Sequence, residues 1–282
     1  MTDTEATDYA ALADDIAAWL RARMTDAGVS RLVVGLSGGI DSAVVCALCT
    51  MAAGSSRVIA AILPIHSEAA DLRDAESVAR TFEVTAQTID LGPVYDAFLF
   101  AMPNDQAPGL QDANIDPDVA EQRRQLALAN IKPRLRMATL YYLANRFDGL
   151  VVGTGNKTEL RVGYFTKYGD GGVDLLPLGE LLKTDVRGLA RELGVPAAVI
   201  DKAPSAGLWQ GQTDEGELGI SYPELDAALA AMAGGRVDAI DSDIRSRVSR
   251  LVSASEHKRA PVPVYSRETE RPVTRRRPRR RP

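Results

Sequence analysis

Apolar segments that suit β-strands alternate with segments of helical spacing along most of this chain, and this alternation constrains its fold more than any other feature. The predicted strands are RLVVGL, RVIAAILP, VTAQTID and DGLVVGT, at residues 31–36, 57–64, 84–90 and 148–154. The predicted helices cover residues 8–26, 41–53, 68–81, 119–146 and 183–196. Strands that are apolar throughout must be covered on both faces, so the pattern predicts an α/β fold, a doubly wound parallel sheet with helices on both faces.

Two of the predicted helices carry signals at particular positions. Pro133 lies within the 119–146 helix and should kink that helix or split it in two, because proline lacks an N–H group and its ring clashes with the preceding turn. In the 183–196 helix, Thr184 suits the N-cap and Gly194 lies just past the end. Residues 103–118 are rich in Pro, Asn, Asp and Gly and predict a loop.

Charge divides the chain into a long acidic part and a short basic end. Its 282 residues, 45% of them hydrophobic, suffice for one large domain or two small ones, and we expect a single domain over residues 1–265. Residues 271–282 hold seven Arg and no acid, so the formal net charge of -5 leaves about -12 on the rest. An acidic body argues against nucleic acid as a partner. We interpret residues 266–282 as a disordered, solubilising tail; contact with RNA or an acidic partner is the alternative.

Few residues are available for disulfides or for a histidine-rich metal site. Cys46 and Cys49 are the only cysteines. Their CxxC spacing matches a redox motif, but we favour the interpretation that they are two small buried hydrophobes on one helix. His66 and His257 are the only histidines and lie far apart. The acidic N-terminus lacks a basic segment followed by an apolar run, and no run is long enough to span a bilayer. We therefore expect a cytoplasmic protein with no membrane partner.

The stretch GLSGGIDSA at residues 35–43 joins the first predicted strand to the next helix and points to a phosphate site. Glycines let the backbone approach a ligand closely, and the N–H groups at a helix start suit an anion. Asp41 would repel a bare phosphate, so it favours a cation between the two, most simply Mg²⁺. The GxxxxGK[ST] and GxGxxG patterns are absent, and the alternative is a tight turn capped by Ser or Asp.

SGGIDS at residues 37–42 resembles the pyrophosphate-binding loop of the N-type ATP pyrophosphatases, which cleave ATP between its α and β phosphates. Later segments are similar in order and spacing to the NAD synthetases of that superfamily. These segments are VVGTGNKTE (151–159), GYFTKYGDGGVDLLPLGELLKTDVR (163–187), KAPSAGLWQGQTDEGELGISY (202–222) and EHKR (256–259). The resemblance implies a Rossmann-like fold and an ammonia-dependent NAD⁺ synthetase that uses ATP as a co-substrate.

The resemblance implies a reaction in two steps. The nicotinate carboxylate of deamido-NAD attacks the α-phosphorus of ATP, and pyrophosphate leaves. Ammonia then attacks the acyl adenylate, AMP leaves, and NAD⁺ is formed. Because the nucleophile and its target are both anionic, charge neutralisation and alignment should carry most of the catalysis.

The resemblance also carries roles onto individual positions. Asp41 and Glu159 match the family's magnesium ligands, and the implied catalytic residues are these two together with Lys183 and Asp174. The positions that match its ATP contacts are Gly35, Leu36, Ser37, Gly38, Gly39, Ile40, Asp41, Ser42, Thr154, Lys183 and Ser205. The positions that match its deamido-NAD contacts are Arg134, Lys167, Asp174, His257 and Lys258. Asp170 and Asp174 are both candidates for taking the ammonium proton.

The resemblance further implies a nitrogen source, a homodimer and a mobile segment. The chain has no room for the glutaminase domain that some relatives carry, so free ammonia is expected. TGNK at 154–157 differs from the TDHAAE-type segment that some single-domain bacterial members have. A separate glutaminase partner therefore stays open. Members form homodimers, and the helical region 119–146 is a candidate interface or else ordinary core packing. The Gly-rich segment 202–219, which we call the flap, is expected to become ordered when ATP binds.

Two rival functions explain less of the sequence. A tRNA thiolase or a GMP synthetase would share SGGIDS but would not need FTKYGDGG at residues 165–172. A thiolase would also need a reactive cysteine in a loop and a basic face. A nucleotide-binding module without enzymatic activity would not need two acidic metal ligands, yet Asp41 and Glu159 are both present.

Overall fold

The computed structural model describes residues 7–102, 115–209 and 211–265. The strands are β1 (Arg31–Gly35), β2 (Val58–Ile62), β3 (Ala86–Thr88) and β4 (Gly149–Val151). The helices are α1 (Tyr9–Ala27), α2 (Ile40–Ala53), α3 (Ala69–Thr81), α4 (Gly92–Ala101), α5 (Pro117–Phe147), α6 (Lys157–Val162), α7 (Lys183–Glu192), α8 (Ala197–Ile200), α9 (Asp214–Leu218), α10 (Tyr222–Ala233), α11 (Ser242–Ala254) and α12 (Glu256–Arg259). The predicted tail and most of the predicted loop at 103–118 lie outside the described residues. Within these ranges, no helix combines the length and the apolar character needed to cross a membrane.

The four strands form one parallel sheet in the order β3-β2-β1-β4, with β1 inside it. Leu32 of β1 lies opposite Val58 of β2, and Arg31 of β1 lies opposite Gly149 of β4. The chain therefore runs outward from β1 to β3 and then returns to the other side of β1. The predicted doubly wound parallel sheet is confirmed. In such sheets, ligands bind beyond the carboxyl ends of the strands, where the strand order reverses, and here that place is the end of β1.

The two faces of the sheet belong to two different hydrophobic cores. Leu32 and Val34 of β1 pack into one core with α1, α2 and α7, whereas Val33 packs into the other with α4 and α5. This alternation arises because successive residues of a strand point to opposite faces. A third, smaller core lies between α6, α10 and α11, around Leu225 and Val248. The third core joins α10 to α6, one of the helices that begin at the carboxyl end of the sheet.

Helix α5 is continuous across Pro133, so the prediction that this proline splits the helix is wrong. Pro133 is buried, and α5 packs along both β1 and β4. These tertiary contacts outweigh the one backbone hydrogen bond that proline removes. The helix also begins earlier than predicted, because Asp116 caps its first turn by accepting the N–H of Asp118.

Helix α7 occupies the first ten residues of the helix predicted over 183–196, and its N-cap is Leu182, not Thr184. The Leu182 side chain cannot cap the helix. Instead, Asp185 accepts the N–H of Leu182 at 3.1 Å, and Asp226 from α10 accepts the N–H of Thr184 at 2.8 Å. The free N–H groups at this helix start are therefore satisfied partly from a distant part of the chain, which sequence spacing does not reveal.

Both cysteines are buried in α2 as free thiols. Burial raises the pKa of Cys46 to about 12, and burial also raises the pKa of Cys49. A thiol with a raised pKa stays protonated at neutral pH and is a poor nucleophile. The structure thus agrees with the interpretation of these residues as two buried hydrophobes of a helix.

Candidate active site

The loop between β1 and α2 holds a turn that admits only glycine at its centre. Gly38 adopts a φ of 81°, and a Cβ there would lie 2.4 Å from the backbone oxygen of Asp71. The hydroxyls of Ser37 and Ser42 lie 3.2 Å apart across the turn. Helix α2 begins at Ile40, so its first N–H groups open at this loop. This is the geometry of an anion site at a helix N-terminus.

Asp41, Glu159 and Lys183 meet beside this loop in one group with a buried lysine and two partly buried acids, which we call the acid–lysine cluster. The Nζ atom of Lys183 lies 2.5 Å from Oδ2 of Asp41 and 3.2 Å from Oε1 of Glu159. The Lys183 side chain is 2% exposed, and the ring of Tyr222 covers its ammonium with its centroid 4.9 Å away. Each member stands in the first turn of its helix, α2, α6 or α7. Three helix starts therefore converge at the end of β1.

Asn156 links the two carboxylates of the acid–lysine cluster. Its Nδ2 donates to Oδ1 of Asp41 at 2.8 Å. Its Oδ1 accepts the N–H of Glu159 at 3.0 Å, and Oε2 of Glu159 accepts the Asn156 N–H at 3.2 Å. This reciprocal pair is a capping box at the start of α6. It engages one oxygen of Glu159 and leaves the other directed at Lys183.

Burial and charge together set the protonation of the acid–lysine cluster. Burial raises the pKa of Glu159 to about 7, although the nearby Lys183 ammonium opposes the shift. Burial alone would lower the pKa of Lys183, but the charges of Asp41 and Glu159 outweigh it and raise that pKa above its ordinary value. Lys183 is therefore a cation at neutral pH. Two carboxyl groups face one ammonium, and a further cation between them would favour the ionised form of Glu159, so the cluster suits a further cation.

A cavity of about 520 Å³ opens over the loop and the acid–lysine cluster. Every predicted ATP contact except Gly38 lines this cavity. The lining includes Thr154, which follows β4, and Ser205, which belongs to the flap. The volume is in the range of small-molecule sites in proteins. The structure thus brings together side chains that are more than 100 residues apart in the chain, such as Asp41 and Lys183.

The flap forms one wall of this cavity and is held at two places. At its base, Nζ of Lys202 donates to carboxylates of Asp71 and Asp74 on α3, each at 2.6 Å. Farther along, Nζ of Lys132 on α5 donates to the carbonyl oxygen of Leu208 at 2.7 Å. Burial lowers the pKa of Lys132, whose side chain lies beneath the flap. These contacts join the flap to helices on both sides of the cavity.

The basic side chains among the predicted deamido-NAD contacts form a group at the edge of the cavity. Arg134 donates to the carbonyl of Lys167 at 3.3 Å, and Nζ of Lys167 donates to the carbonyl of His257 at 2.6 Å. Nζ of Lys258 donates to the two carbonyls of Gly163 and Phe165, at 2.7 and 2.8 Å. Carbonyl groups satisfy these donors but carry no net charge. Asp170 is an acid that acts on Lys258, so three cationic side chains lie beside one carboxyl group and the net charge stays positive, as an anionic ligand requires. Lys258 lines the cavity, whereas Arg134, Lys167 and His257 lie outside its lining.

Asp174 lies apart from the acid–lysine cluster, outside the cavity lining. Its Oδ2 accepts the N–H of Val151 at 2.8 Å, and its Oδ1 accepts the hydroxyl of Tyr141 at 2.9 Å. Asp170 does line the cavity, and its Oδ1 accepts the N–H of Thr166 at 2.8 Å. A catalytic role of Asp174 stays a prediction, and of the two candidate proton acceptors the geometry favours Asp170.

Sequence reasoning missed three residues that contact the acid–lysine cluster or its supporting backbone: Asn156, Tyr222 and Asp226. Asn156 followed by Glu159 is a readable capping-box pattern, and Ser221 with Glu224 marks the start of α10 in the same way. These patterns predict helix starts but do not say what the helices face. Asp226 has no signal of its own, because both groups that it binds belong to distant segments.

Comparison with known proteins agrees with this geometry. The family model for NAD synthase matches residues 12–262. The NH(3)-dependent NAD(+) synthetase of Carboxydothermus hydrogenoformans is 44% identical over 86% of this chain and 91% of its own. The corresponding protein of Archaeoglobus fulgidus is 42% identical over 91% of this chain and 97% of its own. The solved structure of NMN synthetase from Francisella tularensis has a TM-score of 0.78 and 33% identity, covering 92% of this chain and 99% of that one. The chain belongs to the NAD synthase family.

Proposed function

We propose that this chain is an ammonia-dependent NAD⁺ synthetase, a ligase that amidates deamido-NAD to NAD⁺ through an acyl adenylate and releases pyrophosphate and AMP. The observation that carries the proposal is that the loop between β1 and α2 and the acid–lysine cluster line one cavity of about 520 Å³. That combination suits ATP, because a phosphate-binding backbone lies beside groups that bind cations. The reaction also needs a second anionic substrate, for which the basic group at the cavity edge is suited.

The ATP phosphates would lie over residues 35–42, against the first N–H groups of α2. Attack of a carboxylate on the α-phosphate brings two anions together, so cationic groups at this place lower the barrier. Lys183 is the cation that the structure places beside the loop, and its flexible stem can carry the ammonium to a phosphate oxygen. Thr154 and Ser205, which both line the cavity, supply hydroxyl donors.

Asp41 and Glu159 would hold Mg²⁺. Both carboxylates lie within 3.2 Å of one cation already, the Lys183 ammonium, so they are placed to share another. Carboxylate oxygens are the ligands that this hard ion prefers. When bound, Mg²⁺ supplies charge neutralisation at the phosphates. Asn156 would keep Asp41 oriented through its hydrogen bond to the other carboxylate oxygen.

Deamido-NAD would bind along the basic group formed by Arg134, Lys167 and Lys258, which keeps a net positive charge beside Asp170. Asp174 and His257 would contact the same substrate. Asp170 is the better-placed acceptor for the ammonium proton, because it lines the cavity and burial raises its pKa. Free ammonia is the proposed nitrogen source, a separate glutaminase partner is the alternative, and the assay tests whether the chain uses glutamine by itself.

The assay of this proposal follows AMP and NAD⁺ together after mixing the protein with ATP, Mg²⁺, ammonium and deamido-NAD. We expect equal amounts of both products, no NAD⁺ when any one component is omitted, and no NAD⁺ when glutamine replaces ammonium. Nicotinate mononucleotide is tested in parallel, because the Francisella relative is named an NMN synthetase. Formation of AMP without amidation of either nucleotide would contradict the proposal, and preference for the mononucleotide would correct its substrate.

We further propose that the chain forms a homodimer through α4 and α5. In the candidate interface at 119–146, Leu143 is buried and Ile131, Leu135, Leu140 and Tyr141 pack with it, so these five are core residues. The exposed large apolar side chains of α4 and α5 are instead Val94 (50%), Phe98 (37%), Phe100 (94%), Val119 (41%), Leu126 (55%), Tyr142 (65%) and Phe147 (38%). Large apolar side chains exposed on neighbouring helices are typical of an interface between subunits.

Replacing Phe100 by Asp is expected to weaken the dimer by about thirtyfold or more, because a charge would enter an apolar contact. Sedimentation equilibrium over a range of concentrations measures the dissociation constant. Val264→Asp is the matched control, since Val264 is 86% exposed and lies on neither helix. A wild-type chain that sediments as a monomer at all concentrations, or equal weakening by the two substitutions, would contradict the proposed interface.

A further inference from the structure

The first turns of α10 pack directly behind the acid–lysine cluster, and the chemistry proposed above gives them no role. Tyr222 and Asp226 lie four residues apart on this helix, so they share one face. The ring of Tyr222 covers the Lys183 ammonium, and Asp226 faces the backbone beneath it. Both residues are buried, at 2% and 3% exposed. A buried carboxylate this close to the cluster calls for a physical explanation.

Asp226 binds the two helix starts that carry Glu159 and Lys183. Its Oδ1 accepts the hydroxyl of Thr158 at 2.5 Å, and its Oδ2 accepts the N–H of Thr184 at 2.8 Å. Thr158 immediately precedes Glu159, and Thr184 immediately follows Lys183. The hydroxyl oxygen of Thr158 also accepts the N–H of Lys183 at 3.1 Å. These three hydrogen bonds tie the starts of α6 and α7 to each other and to α10.

We propose that Asp226 is a positioning residue that holds Glu159 and Lys183 at the separation needed to activate ATP; this inference rests on the proposed function. Residues 163–182, which join α6 to α7, contain turns but no helix, so chain connectivity alone does not fix that separation. Catalytic groups must be held within about 0.5 Å of their working geometry. One buried carboxylate that accepts from both helix starts supplies that constraint, and its charge is favourable at the N-terminus of α7.

The substitution Asp226→Asn keeps the size of the side chain and removes one acceptor. If the amide oxygen accepts from Thr184, the amide nitrogen must face the Thr158 hydroxyl. That hydroxyl then accepts from both the amide and the N–H of Lys183, and its own proton has no partner. In the opposite orientation, the N–H of Thr184 loses its acceptor. Either way, the starts of α6 and α7 lose part of their common anchor.

We expect D226N to lower kcat by about thirtyfold while the KM for deamido-NAD stays within about threefold, because hydrogen bonds to a charged group are worth one to two orders of magnitude in rate. Asp185→Asn is the matched control. Asp185 caps the same helix by accepting the N–H of Leu182, but it binds neither Thr158 nor Thr184. D185N should lower the Tm as D226N does and leave kcat within about threefold. Equal loss of kcat in both variants would mean that helix stability alone matters and would overturn the inference.

Substitutions of Thr158, which donates its hydroxyl to Asp226, test the inference even where D226N does not fold. Thr158→Val removes the hydroxyl and should reproduce the loss of kcat, whereas Thr158→Ser keeps the hydroxyl and should retain most of the activity. In the double variant D226N/T158V, the loss of kcat should be smaller than the product of the two single losses, because the two substitutions share the hydrogen bond between Thr158 and Asp226. Serine as damaging as valine would overturn the inference.

Hydrogen–deuterium exchange separates this inference from the proposed function, because it requires no turnover. D226N should increase exchange together at residues 157–159 and 183–185, whereas D185N should increase it at 183–185 alone. If the wild type forms no NAD⁺ but the exchange pattern holds, the proposed function fails and the anchoring by Asp226 stands. If exchange at 157–159 is unchanged in D226N, the anchoring itself is wrong.

Discussion

Replacing Lys183 by Met is expected to lower kcat for NAD⁺ formation by about a thousandfold, because the variant loses the cation that the structure places beside the loop between β1 and α2. Methionine keeps much of the aliphatic volume and removes only the charge. The effect should fall mainly on kcat, since the barrier is highest when the carboxylate meets the α-phosphate. Steady-state kinetics with saturating ATP, ammonium and deamido-NAD measures it. Retention of kcat within tenfold would show that another group stabilises the reacting phosphate.

The same variant should also be less stable in the absence of Mg²⁺. Asp41 and Glu159 would be left facing each other without a cation, and breaking a buried ion pair in this way costs about 3 kcal/mol. Mg²⁺ should raise the Tm of K183M by more than it raises that of the wild type, because the two acids then lack their internal partner. Lys157→Met is the matched control. Lys157 pairs with Glu180, whose side chain is 90% exposed, so its loss should change stability by less than about 1 kcal/mol.

Replacing Gly38 by Ala is expected to lower kcat/KM for ATP by about a hundredfold, because the loop must move to admit the new methyl group. The Cβ would lie 2.4 Å from the backbone oxygen of Asp71, and a backbone atom at the start of α3 cannot swing aside as a side chain could. The left-handed φ of 81° adds strain, and together these effects should destabilise the fold by about 2 kcal/mol. Calorimetric binding of a non-hydrolysable ATP analogue, with the kinetics, measures the result.

Gly28→Ala is the matched control, because it introduces backbone strain without a steric clash. Gly28 follows α1 with a φ of 69°, and a Cβ there would meet nothing within 4 Å. The G28A variant should therefore be about 1 kcal/mol less stable than the wild type, from backbone strain alone, and should keep the wild-type kcat/KM for ATP. If both glycine variants bind ATP as the wild type does, the loop at residues 37–42 is not where the phosphates bind.

The local pattern of apolar residues predicted the strands correctly where burial of apolar side chains decided the structure. The apolar strands predicted at 31–36 and 57–64 appear as β1 and β2, because both faces of each must be covered. The structure contradicts the predicted split of α5 at Pro133 and the predicted N-cap at Thr184 for one common reason. In each case a local preference, to break a helix or to cap one, lost to packing or hydrogen bonding from another segment.

Local periodicity and motifs of contiguous residues are enough to predict the sheet type, the glycine-containing turn after the first strand, and membership of the NAD synthase family. That Lys183 lies between Asp41 and Glu159, and that Asp226 binds two helix starts at once, is visible only in the folded chain. The reason is physical. Hydrogen bonds and ion pairs act over about 3 Å, while their partners here are separated by up to 142 residues of chain, and packing of the sheet and helices alone brings them together.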